Sequence, residues 1–218
     1  VLLSFTTTAH AAPTNTYVAL GDSYASGNGV GSYLTGTGNA GCYRSLKSYP
    51  GLIAAASKVP LVLEACSGAV ISDVRVKQMS KLDANTKYVT ITVGGNDVEF
   101  SKVITTCLGS NSTACLNAVT TAKATAGSDA FRANLASLFI EVKAKAPSAR
   151  IVATSYPLLF NNKDCSILTS FTSAEMTALN EGASILATAI SNAADDAEIE
   201  FADVRGVFTG HAVCDRTP

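Results

Sequence analysis

Charge is scarce in this chain: Asp, Glu, Lys and Arg together make up 15% of its 218 residues, against roughly 25% in ordinary soluble domains. No run of Lys or Arg occurs, and the formal net charge is −1. Neither the electrostatic footprint of a nucleic-acid binder nor a polybasic membrane anchor is there. Histidine is rarer still, with His10 and His211 the only two. Without a C-x-x-C pair beside them, a zinc site lacks its usual ligands, and no metal or organic cofactor is expected. No stretch reaches the roughly 18 consecutive apolar residues of a membrane span. The glycines obey neither G-x-x-x-x-G-K-[ST] nor G-x-G-x-x-G, so a nucleotide phosphate cradle is missing. The partner left by these exclusions is a small, mostly uncharged molecule, and a monomer is expected.

Apolar residues are plentiful, at 47%, and the length suits one α/β domain with a sizeable core. Val1-Leu2-Leu3-Ser4-Phe5 leads through a Thr-rich patch to Ala9-His10-Ala11. That pattern reads as the tail of a secretory signal peptide, residues 1–11, cleaved after a small-x-small site. Residues 12–218 then form the domain. Six cysteines, Cys42, Cys66, Cys107, Cys115, Cys165 and Cys214, fit an exported protein in an oxidising compartment. Three disulfides are expected; many pairings are open, and the sequential one (42 with 66, 107 with 115, 165 with 214) is our guess among them.

Five short runs read as buried strands: Tyr17–Leu20, Leu61–Leu63, Tyr88–Val93, Ile151–Thr154 and Ile199–Ala202. They are nearly continuous in apolar or β-branched residues, as parallel strands covered on both faces should be. Between them, Phe131, Leu135, Leu138, Phe139 and Val142 recur at helical spacing, and Pro147 stops that helix. Met176, Leu179, Ala183, Leu186 and Ile190 mark a second helix, opened by the capping box Thr172-Ser173-Ala174-Glu175. The alternation predicts a doubly wound α/β fold with a parallel sheet of about five strands. Ligands in such sheets sit beyond the carboxyl ends of the strands. The polar motifs fall there: Gly21-Asp22-Ser23, then Cys66-Ser67-Gly68, then Gly94-Gly95-Asn96-Asp97.

Each motif has an ordinary reading. Ser23 suits a helix N-cap, and Gly94-Gly95-Asn96-Asp97 suits a turn. Together and in register they resemble the signature blocks of the SGNH (GDSL-like) hydrolase family, with Tyr24 where the GDSL motif has Leu. The resemblance covers nearly the whole chain and is closest to secreted actinobacterial esterases and lipases. It implies the three-layer flavodoxin-like fold of that family. It also implies Ser23 as nucleophile, and an oxyanion hole built from the Ser23 and Gly68 backbone N–H groups and the Asn96 amide. Physical chemistry agrees: acyl transfer needs an exposed nucleophile, and its tetrahedral intermediate needs donors already in place. Glycine at 68 would keep a side chain out of the substrate's path. Asp22 is read as structural, bonding loop amides near Ser23.

The family's catalytic histidine stands in a C-terminal block that these residues do not contain. His211 lies in Gly210-His211-Ala212-Val213-Cys214, which resembles a stretch preceding that block. We therefore read His211 as a loop residue beside a disulfide, and the block as missing from the sequence. The rival arrangement pairs His211 with Asp203 or Asp215. The expected activity is hydrolysis of lipid or short-chain acyl esters, with these 218 residues alone expected to be nearly inactive for want of the histidine block; the alternatives are a carbohydrate acetylesterase and a non-catalytic flavodoxin-like binding protein or pseudoenzyme.

Overall fold

Strand β1 (Thr16–Gly21) is an interior strand of the sheet, and all its residues after Thr16 are buried. The computed structural model describes residues 16–38, 41–161, 171–213 and 215. The expected signal remnant at 1–11, together with Cys165 and Cys214, lies outside the described residues. On either side of β1 are β2 (Leu61–Leu63) and β3 (Thr86–Thr92), followed outward by β4 (Arg150–Thr154) and β5 (Glu200–Ala202). The sheet order is β2-β1-β3-β4-β5, and every pairing is parallel. The five predicted strands are thus all present, and the strand order reverses beside β1, where open α/β sheets place their ligands.

Helices α1 (Ser23–Ser26), α2 (Tyr49–Ser57) and α3 (Ile71–Asp73) precede β3. Helices α4 (Phe100–Cys107), α5 (Ser112–Ala126) and α6 (Asp129–Lys145) fill the connection from β3 to β4, and α7 (Ser173–Asp196) leads into β5. Both helices expected from periodicity form. Ser128 caps α6 by accepting the Phe131 N–H at 3.2 Å. At α7 the capping box closes in both directions, Thr172 N–H to Glu175 Oε2 at 2.8 Å and Glu175 N–H to Thr172 Oγ1 at 3.3 Å. Their apolar faces join Val18, Leu20, Val89 and Ile91 in the main core.

The opposite face differs from expectation. Helix α2 covers Tyr17, Ala19 and Leu63 there, but Thr90 and Val152 are only half-buried and Tyr88 keeps 45% of its surface. The apparent continuity of β3 came from counting Thr and Tyr with Val and Ile, whose β propensity they share. Their hydroxyls are satisfied along the sheet: Tyr17 with Thr90 at 2.6 Å, and Thr92 with both Tyr49 at 2.8 Å and Thr154 at 2.6 Å.

Disulfides join Cys42 to Cys66 and Cys107 to Cys115, in agreement with two of the three sequential pairings. The first ties the glycine-rich loop after α1 to the turn following β2. Ser67 N–H to the Cys42 carbonyl at 3.1 Å and Asn28 to Ser67 Oγ at 3.1 Å reinforce that tie.

Candidate active site

The three predicted motifs meet at the carboxyl edge of β1, β2 and β3. Gly21 ends β1 with φ of +129°, and a Cβ there would lie 2.1 Å from the Thr92 carbonyl oxygen. No other residue fits so sharp an exit. The turn delivers Asp22 as the N-cap of α1, its Oδ1 accepting the Tyr24 N–H at 3.0 Å. Ser23 is therefore the first helical residue rather than the cap. It is half-buried, and its N–H donates to no group among the described residues.

Gly21 is held from below by a residue the sequence reading missed. A π-helical turn, Val74–Gln78, carries the buried Gln78 carboxamide to the strand end. Its Oε1 accepts the Gly21 N–H at 2.8 Å, and its Nε2 donates to the Gly21 carbonyl at 2.9 Å.

Gly68 stands in the exposed turn after β2 with φ of +80°, and no protein atom lies within 4 Å of the place a Cβ would take. The sequence argument for glycine here was the substrate's path; the left-handed backbone supplies a further one. The Gly68 N–H, like that of Ser23, donates to no described residue. Asn96 Nδ2 donates to the neighbouring Ala69 carbonyl at 3.0 Å. A carboxamide has two N–H donors, so one positions the side chain beside the Gly68 turn and the second is left for another acceptor. Asp97 adds a clip, its two oxygens accepting the Ile71 N–H at 3.2 and 3.1 Å.

The electrostatics are set by burial. Asp22 is 1% exposed, and desolvation pushes its carboxyl up to about 7, against the opposing pull of the Tyr156 hydroxyl and the Tyr24 amide. Asp97 is raised by partial burial as well. Tyr156 is raised well above the usual phenol range by burial and then by the Asp22 charge. Its hydroxyl donates to Asp22 Oδ2 and accepts the Gly95 N–H at 3.0 Å. Sequence reasoning missed this residue too. Ser155-Tyr156-Pro157 follows β4 directly, so the rule that found the other three motifs points at it as well.

His211 lies in the exposed turn after the 3₁₀ turn Gly206–Phe208, with its N–H on the Phe208 carbonyl at 2.9 Å. The acids of the rival arrangement, Asp203 and Asp215, each carry hydrogen bonds of their own. Asp203 accepts from Arg205 Nη2 at 2.6 Å and Ser155 Oγ at 3.1 Å, and the Arg205 guanidinium holds it below the usual carboxylate range. Asp215 accepts the Ala212 N–H at 2.9 Å and bonds Asn161.

Chemically, the arrangement offers a hydroxyl on a helix N-terminus and three N–H donors from three loops. That combination can meet an oxygen as it gains negative charge. Among the described residues no cluster of three or more His, Cys, Asp or Glu forms a metal site.

Comparison with known proteins points the same way. The profile of the GDSL-like lipase/acylhydrolase family matches residues 19–217. Lipase 1 of Streptomyces coelicolor is 38% identical over 203 residues, 93% of this chain and 74% of that protein. Among solved structures, the extracellular lipase of Streptomyces rimosus superposes with a TM-score of 0.87 at 35% identity, covering 94% of this chain and 86% of its own. Phospholipase A1 from Streptomyces albidoflavus gives 0.86 at 43%, covering 91% and 83%.

Proposed function

Since the chain belongs to the GDSL-like lipase/acylhydrolase family, we propose that it cleaves carboxylic esters, of lipids or short acyl chains, through an acyl-enzyme on Ser23. Ser23 Oγ attacks the ester carbonyl as a base removes its proton. The carbonyl oxygen becomes an oxyanion and is met by the Ser23 N–H, the Gly68 N–H and the second N–H of Asn96. Expulsion of the alcohol leaves the acyl group on Ser23, and water then releases it as a carboxylate. The observation that carries this reading is the bond from Asn96 to the Ala69 carbonyl. It ties the side-chain donor to the turn bearing a backbone donor, and removal of one such donor typically costs on the order of 10²–10³ in rate.

The proton acceptor we assign to a histidine, the base that the family resemblance implies. Lipid esters are favoured over acetylated sugars because the relatives above 30% identity are named as lipases and a phospholipase A1. Export is favoured by the two disulfides.

The test uses the natural full-length protein. Fluorophosphonate should label Ser23, and Ser23→Ala should lose labelling together with at least ~10³-fold of ester turnover. Esters of graded acyl length, run beside acetylated xylan, identify the substrate class. Turnover that survives Ser23→Ala would defeat the proposal.

A further inference from the structure

Tyr156 follows the end of β4 and is buried, with 8% of its surface exposed. The phenol touches both candidate loops. It donates to Asp22, the residue before Ser23, and accepts from the N–H of Gly95, the residue before Asn96. Its ring also meets Tyr24, the residue after Ser23, edge to face with centroids 5.0 Å apart. We propose that Tyr156 is a positioning residue for ester hydrolysis, its hydroxyl holding the Ser23 turn and the Asn96 turn at the separation that lets their donors converge on one oxyanion. The inference rests on the roles proposed above for Ser23 and Asn96.

The sheet itself cannot do this. Pairing between β1 and β3 ends at Gly21 and Thr92, and the last ladder bond is from the Asp22 N–H to the Thr92 carbonyl at 2.9 Å. Past that point the two chains diverge into separate turns, and the phenol spans them. A hydroxyl suits the position because it donates and accepts at once, whereas a phenylalanine would leave a buried carboxylate oxygen and a buried N–H without partners. The fit is close. A Cβ at Gly95 would come within 3.1 Å of both Cζ and Oη of Tyr156, so the third turn is shaped around the phenol.

The bond to Asp22 ties the device to a proton. An ionised Asp22 takes the hydroxyl hydrogen in a charge-assisted bond, which leaves the phenol lone pairs to Gly95. A protonated Asp22 competes as a donor and loosens the bridge. The groups acting on this carboxyl are the Tyr156 hydroxyl from the β4 loop, the Tyr24 amide from α1 and the Asp97 charge from the β3 loop. Tyr49 of α2 feels its charge as well. Of these, only the Tyr156 hydroxyl and the backbone donors favour ionisation. Removing the hydroxyl therefore moves Asp22 ionisation to higher pH.

The experiment is steady-state hydrolysis of a soluble butyrate ester by the natural full-length enzyme between pH 5 and 9. Tyr156→Phe should lower kcat by about 10–100-fold, as loss of alignment does, with KM little changed. The acid limb of kcat/KM should move to higher pH. A ring-fluorinated tyrosine at 156, which keeps the shape and strengthens the donor, should move that limb the opposite way and retain turnover. It also serves as the test if Tyr156→Phe fails to fold. Unchanged kcat in Tyr156→Phe overturns the proposal, and so does an acid limb that stays in place with the fluorinated residue. Failure of the Ser23 reading is seen separately, as turnover surviving in Ser23→Ala.

Discussion

On one face of the sheet Val18, Leu20, Val89, Ile91, Ile151 and Ala153 are all at most 4% exposed, sealed beneath α6 and α7. On the other, α2 covers β1 and β2, while β3 and β4 line a groove of about 670 Å³ whose floor includes Thr90, Thr92, Val152 and Thr154. The same strands build both faces. What separates them along β3 is the last atom of alternate side chains: methyl groups of Val89 and Ile91 on the sealed side, hydroxyls of Thr90 and Thr92 with hydroxyl partners on the open side. The sealed face holds the fold together by area removed from water. The open face keeps its shape through paired polar groups, which contribute less to stability and specify position more.

Substitutions should separate the faces in that order. Leu135→Ala, at a fully buried contact beneath the sheet, should cost the most, about 2–5 kcal/mol by denaturant titration. Thr92→Val should cost about 1–3 kcal/mol, because it strands the hydroxyls of Tyr49 and Thr154. Tyr88→Ser, on the open rim, should stay within ~0.5 kcal/mol. A Tyr88→Ser loss equal to that of Leu135→Ala would abolish the distinction between the faces. A neutral Thr92→Val would place the open face's rigidity in packing rather than in its hydroxyls.

The contrast also explains what the sequence could tell. Val18, Leu20, Val89 and Ile91 reveal the strands, since β-branched apolar runs have few other uses, and the caps at Ser128 and Thr172 mark two helices. Helices α2, α4 and α5 were not foreseen: Tyr49–Ser57 and Ser112–Ala126 are rich in Ala, Ser and Thr and show no wide apolar stripe, while Phe100–Cys107 is amphipathic but spans only two turns, too few to establish a period. The openness of one sheet face was hidden because Thr and Tyr resemble Val and Phe in shape. At the site, the motifs after β1, β2 and β3 were legible because each is local. The strand-end rule could have marked the position of Tyr156, but neither its contact nor that of Gln78 was legible, since they act on Asp22 and Gly21 across 134 and 57 residues of chain. Local pattern carries no trace of such a contact.

Gln78 shows how a strand can be lengthened without residues to lengthen it. Strand β2 stops pairing at Leu63, opposite Ala19, yet two residues later Gly21 still has an N–H and a carbonyl directed to that side. The carboxamide of Gln78 is chemically a detached peptide group, and it satisfies both as a neighbouring backbone would. The last residue before the reactive turn is thus stitched to the helical layer as well as to the chain leaving β2, whose Cys66 N–H reaches the same carbonyl at 2.9 Å. A carboxylate at 78 would offer the Gly21 carbonyl an acceptor where it requires a donor. The orientation of Ser23 is thereby written partly in a single amide far from it in the chain.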